Sequence, residues 1–153
     1  MKKNPTNFLE PTQQQLNDLI KYYQTKQYDN AEKLAVSITE EFPKHQFSWK
    51  VLAAALKQNG RIDESLVASQ KSVQLNPQDA EAYYNLGIVM QDLGKLDEAE
   101  AIYKKATTLK PDHKTYNNLG IVMQELGRLD EAEANYKKAI TLKPDFLQAI
   151  KNR

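Results

Sequence analysis

The sequence predicts an all-α fold, a solenoid of stacked helix-turn-helix units, and three observations predict it. Prolines Pro43, Pro77, Pro111 and Pro144 stand 34, 34 and 33 residues apart. Residues 85–112 laid over residues 118–145 differ at four positions only: Asp92 for Glu125, Lys95 for Arg128, Ile102 for Asn135 and Thr107 for Ile140. Within each period the apolar residues recur at helical spacing in two runs, parted by a glycine in the last three periods.

The two runs are clearest in the third period. Tyr83, Leu86, Met90 and Leu93 mark one helical face, and Gly94 interrupts it. Leu96, Ala99, Tyr103, Ala106 and Leu109 mark a second face, which Pro111 ends because proline disfavours helix at the residue before it. Asp97-Glu98 and Asp130-Glu131 sit in the first turn of the second helix, where the positive end of the helix dipole favours carboxylates. Lys104, Lys105, Lys110, Lys137, Lys138 and Lys143 lie nearer its C-terminal half, again the favourable sense. Neither helix can bury its stripe alone, so the units must stack. The spacing predicts helices near 12–25, 28–42, 45–58, 61–75, 79–92, 95–109, 114–125 and 128–142, and a short one from 145. The spacer into the fourth period is one residue short: six positions separate Pro77 from Tyr83 but five separate Pro111 from Tyr116. That loss is expected to tighten the connecting turn or shorten the first turn of the seventh helix, with Tyr116 still packing as Tyr83 does.

At these residues the chain resembles the tetratricopeptide repeat (TPR) family. The family signature runs aromatic, leucine, glycine, tyrosine, an alanine with an aromatic four positions on, then proline. Here it reads Tyr83, Leu86, Gly87, Met90, Ala99, Tyr103 and Pro111, and again Tyr116, Leu119, Gly120, Met123, Ala132, Tyr136 and Pro144. The second unit is looser, with Trp49, Leu52, Ala53, Leu56, Ser65, Ser69 and Pro77. In the first, Tyr22, Ala31, Ala35 and Pro43 survive, while Asp18 stands where leucine is expected, so its opening helix should pack in an altered way. The resemblance implies a right-handed α-α superhelix of four units, at about residues 11–43, 44–77, 78–111 and 112–144. A short capping helix over residues 145–153 would follow, with Asn152 falling where a fifth unit carries asparagine. Residues 1–10 are expected to be poorly ordered unless Phe8 and Leu9 cover the first hairpin.

Composition narrows the function. The 21 basic and 20 acidic residues nearly cancel, which removes the positive field that nucleic acid or an anionic membrane requires. With no cysteine there is no disulfide, thiolate nucleophile or cysteine metal site, and the cytoplasm is the expected compartment. No apolar segment follows the N-terminal Met1-Lys2-Lys3, and the longest apolar run, Val51–Leu56, spans six residues, so neither secretion nor membrane spanning is expected. His45 and His113 lie two repeats apart, each just past a repeat proline, which argues against a metal site. The acidic pairs recur with the repeat and read as solvated helix surface rather than as catalytic carboxylates, and the glycines read as packing and helix ends rather than a phosphate loop. No catalytic residue, cofactor or metal is expected.

Binding remains. In the family the first helix of each unit lines a concave groove that holds peptides. The resemblance places Asn17, Val51, Asn85 and Asn118 in one column of that groove, with Leu16, Lys50, Tyr84 and Asn117 beside it. Ile20, Ala54, Ile88 and Ile121 would form its apolar floor, and Tyr23, Lys57, Gln91 and Gln124 its edge. Asparagine suits such a place because one amide both donates to and accepts from a peptide backbone; equally, Asn85 and Asn118 could satisfy local groups or water. The expected peptide-binding set is Asn17, Lys50, Tyr84, Asn85, Ile88, Asn117, Asn118 and Ile121. One subgroup of the family clamps a C-terminal carboxylate; Lys50, Asn85 and Lys114 match that clamp, but Ala54 and Asn118 replace the asparagine and basic residue it uses. Two functions follow: a scaffold docking a partner protein or peptide, or the substrate-docking or regulatory region of a larger transferase, one resembling O-linked N-acetylglucosamine transferase or another bacterial transferase. The last hairpin has only Phe146, Leu147, Ala149 and Ile150 to cover it, so a contact there, in a homo-oligomer or with a further domain, is expected.

Overall fold

A computed structural model describes residues 10–153. The expectation for Phe8 and Leu9 lies outside the described residues. The described chain holds nine helices and no strand: α1 (Gln13–Gln24), α2 (Tyr28–Glu41), α3 (Gln46–Gln58), α4 (Ile62–Leu75), α5 (Ala80–Asp92), α6 (Leu96–Leu109), α7 (His113–Glu125), α8 (Leu129–Leu142) and α9 (Leu147–Asn152). Every end falls within one residue of its expected place except the start of α9, which comes two residues later. The chain divides into two compact units, Met1–Leu75 and Asn76–Arg153.

In the N-terminal unit α1 packs on α2, α2 on α3 and α3 on α4, with α1 alongside α3. Leu19, Ala35, Ile38, Phe42, Val51, Leu52, Ala53, Leu56 and Ala68 form its core, against which Tyr23, Leu34 and Trp49 lie. In the C-terminal unit α5 to α9 pack in sequence, with α5 alongside α7 and α7 alongside α9. The odd-numbered helices thus form one layer in each unit and the even-numbered helices the other.

The turns inside the hairpins share one geometry. Gly60, Gly94 and Gly127 take φ of +78°, +72° and +76°. Each donates its N–H to the carbonyl three residues back, and the next residue donates five back, as in Arg128 N–H to Met123 O at 2.8 Å. That is a Schellman cap, which satisfies the last carbonyls of the helix. The first hairpin keeps the same bonds without the glycine: Lys26 holds φ 60°, and Gln27 N–H reaches Tyr22 O at 2.8 Å.

Helix starts follow from side chains. Thr12 and Gln15 form a capping box on α1, Asp79 accepts from Ala82 N–H to start α5, and Asp112 accepts from Lys114 and Thr115 N–H to start α7. Since α5 and α7 both run 13 residues, the missing residue is lost from the turn ahead of Asp112 and not from the helix. Tyr116 stays half-buried as Tyr83 does, with Lys138 Nζ 5.4 Å above its ring.

Each hairpin closes on a facing pair of residues sixteen positions apart. In the third hairpin a Cβ on Gly87 would come within 2.6 Å of Tyr103 Cδ1, and Gly120 stands in the same relation to Tyr136. The tyrosine rings occupy the space of the absent methyl groups, and Tyr103 is fully buried. The second hairpin places Ala53 and Ser69 at these positions and the first Leu19 and Ala35, all buried. Large faces small in the first, third and fourth hairpins, with the sizes exchanged between the first and the last two, and two small residues face each other in the second. Here the altered packing of α1 is explained: Asp18 turns to Gln14, which donates to it at 2.9 Å, and Leu19 carries the apolar contact one residue on.

Ion pairs tie successive hairpins within each unit. Arg61 reaches Glu32 and Glu64 in the N-terminal unit. Arg128 reaches Glu100 at 2.7 Å and Glu131 at 2.6 Å in the C-terminal one. Lys104 and then Arg128, by hydrogen bonding and charge, hold the Glu100 carboxyl below its usual range despite partial burial.

Two stability outcomes follow. Gly87→Ala should cost about 1–3 kcal/mol by overpacking against Tyr103, yet be close to neutral in a Tyr103→Ser background, which reproduces the Ala53 and Ser69 pairing. Urea denaturation of the four proteins in this cycle measures it. Lys26→Gly should raise stability by about 1 kcal/mol by relieving the left-handed backbone at an L-residue, read as a higher urea midpoint at unchanged slope.

Candidate functional site

The most developed surface is on the odd-helix layer of the C-terminal unit. Tyr84 on α5 is half-buried, with its ring centroid 6.2 Å from that of Tyr103 at 47°. Asn118 on α7 is also half-buried and donates its amide N–H to the Tyr103 hydroxyl at 3.4 Å. The Tyr103 hydroxyl donates in turn to Gln91 Oε1 at 3.0 Å, and Gln91 donates to Glu125 Oε1 at 3.4 Å. Burial pushes the Tyr103 phenol far above its ordinary range and raises Tyr84 as well, with hydrogen bonding from Asn118 opposing both shifts. Both phenols therefore stay protonated through the physiological range. The fourth hairpin repeats the inner link, Tyr136 hydroxyl to Gln124 Oε1 at 2.8 Å.

Asn118 thus spends one of its two amide N–H groups on the Tyr103 hydroxyl. Asn85, Ile88 and Ile121 are half-buried, while Leu86, Val89 and Met90 of α5 and Leu119, Val122 and Met123 of α7 are buried. The 3.6-residue period separates the two sets, leaving the isoleucines at the accessible edge. Beside Tyr84 a cavity of about 300 Å³ is lined by Ala80, Glu81, Lys110, Asp112, Lys114 and Thr115. Lys110 and Lys114 are exposed at its rim, and the Asp112 carboxylate is held by the α7 backbone at 2.9 and 3.3 Å.

Asn117 departs from expectation. It is 3% exposed, and its side-chain oxygen accepts from Asn152 Nδ2 at 3.1 Å. The cause is α9, which lies alongside α7 and seals the position, so Asn117 is a packing residue and not a ligand contact. In the N-terminal unit Asn17 is exposed and accepts from Gln13 at 2.9 Å, Ile20 is partly exposed and Lys50 is half-buried. Val51, in the asparagine column, is buried in the core. The carboxylate clamp gains nothing, because the residue in the place of its basic group, Asn118, turns its donor to Tyr103.

Sequence reasoning missed the Tyr103 hydroxyl as the hub of this network and missed Lys110 and Thr115 in the cavity wall. Tyr103 was visible only as a core aromatic, and Lys110 only as a helix-terminal charge. The histidines are held locally, His45 to the Ser48 hydroxyl at 2.7 Å and His113 edge-on to Phe146 at 4.7 Å. Among the described residues no three His, Cys, Asp or Glu side chains converge as metal ligands would.

The family description "Tetratricopeptide repeat" matches residues 78–145, and "TPR repeat" matches residues 53–94, so together they span more than half of the chain. The chain is a tetratricopeptide repeat protein. The crystal structure of MamA is similar to this TPR protein at 25% identity and a TM-score of 0.81, over 86% of this chain and 78% of that one. YrrB, described as a TPR protein with an unusual peptide-binding site, superposes with a TM-score of 0.82 at 22% identity, over 90% of this chain and 71% of that one, and shares the fold. Among curated proteins, a chloroplastic pentatricopeptide repeat-containing protein of Arabidopsis thaliana is 38% identical over 56 residues, which are 37% of this chain and 6% of that one. The human protein O-mannosyl-transferase TMTC1 is 36% identical over 59 residues, 39% of this chain and 7% of that one. The chain spans a tenth or less of the length of the curated relatives it matches. Its fold class is the family's α-solenoid, and no helix among the described residues is long and apolar enough to cross a membrane.

Proposed function

We propose that this TPR protein is an interaction scaffold that holds a segment of a partner protein on its odd-numbered helices. The carrying observation is the Tyr84 and Asn118 surface beside its cavity, where a half-buried aromatic and a half-buried amide lie near two exposed lysines. A partner backbone N–H would be accepted by Asn118 and paired further by Asn85, apolar side chains would rest on Tyr84, Ile88 and Ile121, and an acidic one would meet Lys114. Asn17 and Lys50 are the corresponding contacts of the N-terminal unit. The edge of the last hairpin is a second contact surface, for another protein or another copy. Near-neutral charge suits a protein partner over nucleic acid, and the lack of cysteine suits the cytoplasm.

The transferase reading is not favoured. The similarity to TMTC1 is confined to 7% of that protein's length.

To test the groove, a partner peptide captured by pulldown would be titrated into the native chain and into Asn85→Ala, Asn118→Ala. A neutral hydrogen bond is worth about 0.5–1.5 kcal/mol net, so affinity should fall about tenfold or somewhat more. Melting should drop only slightly, since the Asn118 bond to Tyr103 is long and half-exposed. Unchanged affinity in the folded variant would move the binding surface elsewhere.

A further inference from the structure

A cavity of about 290 Å³ opens on the even-helix layer of the C-terminal unit, where α6, α7 and α8 meet. Its floor is apolar, from Leu119 and Met123. Lys104 and Thr107 border it from α6, Tyr116 from α7, and Asn135 and Lys138 from α8. Two of these are places where the otherwise matching hairpins differ: Asn135 has Ile102 as its counterpart, and Thr107 has Ile140. Of the four differences between the two copies, two therefore bring a polar side chain to this one cavity.

Asn135 is 8% exposed, and its amide N–H donates to Glu131 O at 2.8 Å. Among the described residues nothing donates to its Oδ1. A buried amide oxygen is ordinarily matched to a donor, and here the cavity is the side from which a donor can come. The Thr107 hydroxyl donates to Lys104 O at 2.9 Å, which leaves its own lone pairs to accept as well. Charge at the mouth has the opposite character. Lys104 pairs with Glu100, and Arg128 holds both Glu100 and Glu131, the acid in the cavity wall. The cation left over is Lys138, one helical turn from Asn135, with its Nζ 5.4 Å above the Tyr116 ring and no carboxylate in ion-pair reach among the described residues.

We propose that this cavity is a further binding site, for a short acidic segment of a partner protein. A backbone N–H of that segment donates to Asn135 Oδ1, and the neighbouring acidic side chain pairs with Lys138. The methylenes of the acidic residue rest on the Tyr116 ring and the lysine stem. An unmatched acceptor inside and an unmatched cation at the mouth are what an N–H followed by a carboxylate satisfies together. The site is separate from the Tyr84 and Asn118 groove and stands whether or not that groove binds.

The probe is a labelled peptide of alternating glutamate and glycine, titrated into the full chain beside the same peptide with glutamine for glutamate. Weak saturable binding of the acidic peptide is expected, with a Kd of about 0.1–1 mM, and binding of the glutamine peptide at least about fivefold weaker. Asn135→Ile installs the residue of the third hairpin, removes the acceptor and fills the space. It should weaken binding at least about fivefold, with melting at or above native because a buried polar group gives way to an apolar one. Lys138→Glu, at an exposed position, should weaken binding as much, and it carries the test however Asn135→Ile folds. Lys105→Glu, the same position one hairpin earlier and outside the cavity wall, should leave affinity within about twofold. Asn85→Ala, Asn118→Ala should bind the peptide as the native chain does, so a failed groove and a failed cavity are told apart. Native affinity in a folded Asn135→Ile chain or in Lys138→Glu, equal binding of the glutamine peptide, or no saturable binding overturns the proposal. An equal loss through Lys105→Glu overturns it by showing diffuse attraction, and a loss through the asparagine pair does so by placing the peptide in the groove.

Discussion

One steric constraint organises the structure: two antiparallel helices can approach only as closely as the pair of residues sixteen positions apart allows. Gly87 with Tyr103, and Gly120 with Tyr136, are in contact so close that a single methyl group does not fit. Protein interiors pack at crystal-like density, so an added methylene must be matched by a loss opposite. The chain satisfies this in three ways, with Leu19 and Ala35, Ala53 and Ser69, and glycine with tyrosine, all buried. The helix turn is held just as tightly, by left-handed residues at 26, 60, 94 and 127 that fix where the second helix begins.

The candidate surface inherits its geometry from that packing. Tyrosine is long enough to cross the hairpin and bring its hydroxyl to the odd-helix layer, where Gln91 and Asn118 receive it. At the second hairpin the serine of the pair, Ser69, is buried with its hydroxyl unbonded among the described residues, and it is Ser65 that bonds Ala53 O, at 2.7 Å. A core substitution therefore changes what the surface can offer. The hairpins with glycine and tyrosine carry a polar edge centred on the tyrosine hydroxyl.

Helix positions were legible in the sequence because proline or glycine punctuates every turn but the first, and a backbone that needs positive φ or lacks an N–H leaves a mark in one residue. The aligned columns were legible too, and they placed Tyr84, Asn85, Ile88, Asn118 and Ile121 at accessible positions. What stayed hidden depends on neighbours. The burial of Asn117 is caused by α9, a six-residue helix whose contact no period announces. The use of Leu19 in place of residue 18 shows only when the pair sixteen apart is read together, and the inward donor of Asn118 requires knowing where a tyrosine hydroxyl ends.

The central claim is that partner binding occurs on the odd-helix layer, on a surface built from the tyrosine network. Amide and side-chain NMR of the full chain with a captured partner peptide tests it directly. The account predicts shift changes concentrated on α5 and α7, with the side-chain amides of Asn85 and Asn118 among the largest and the outer residues of α6 and α8 unmoved. Changes confined to α6 and α8, with both asparagine amides unaffected, would contradict it.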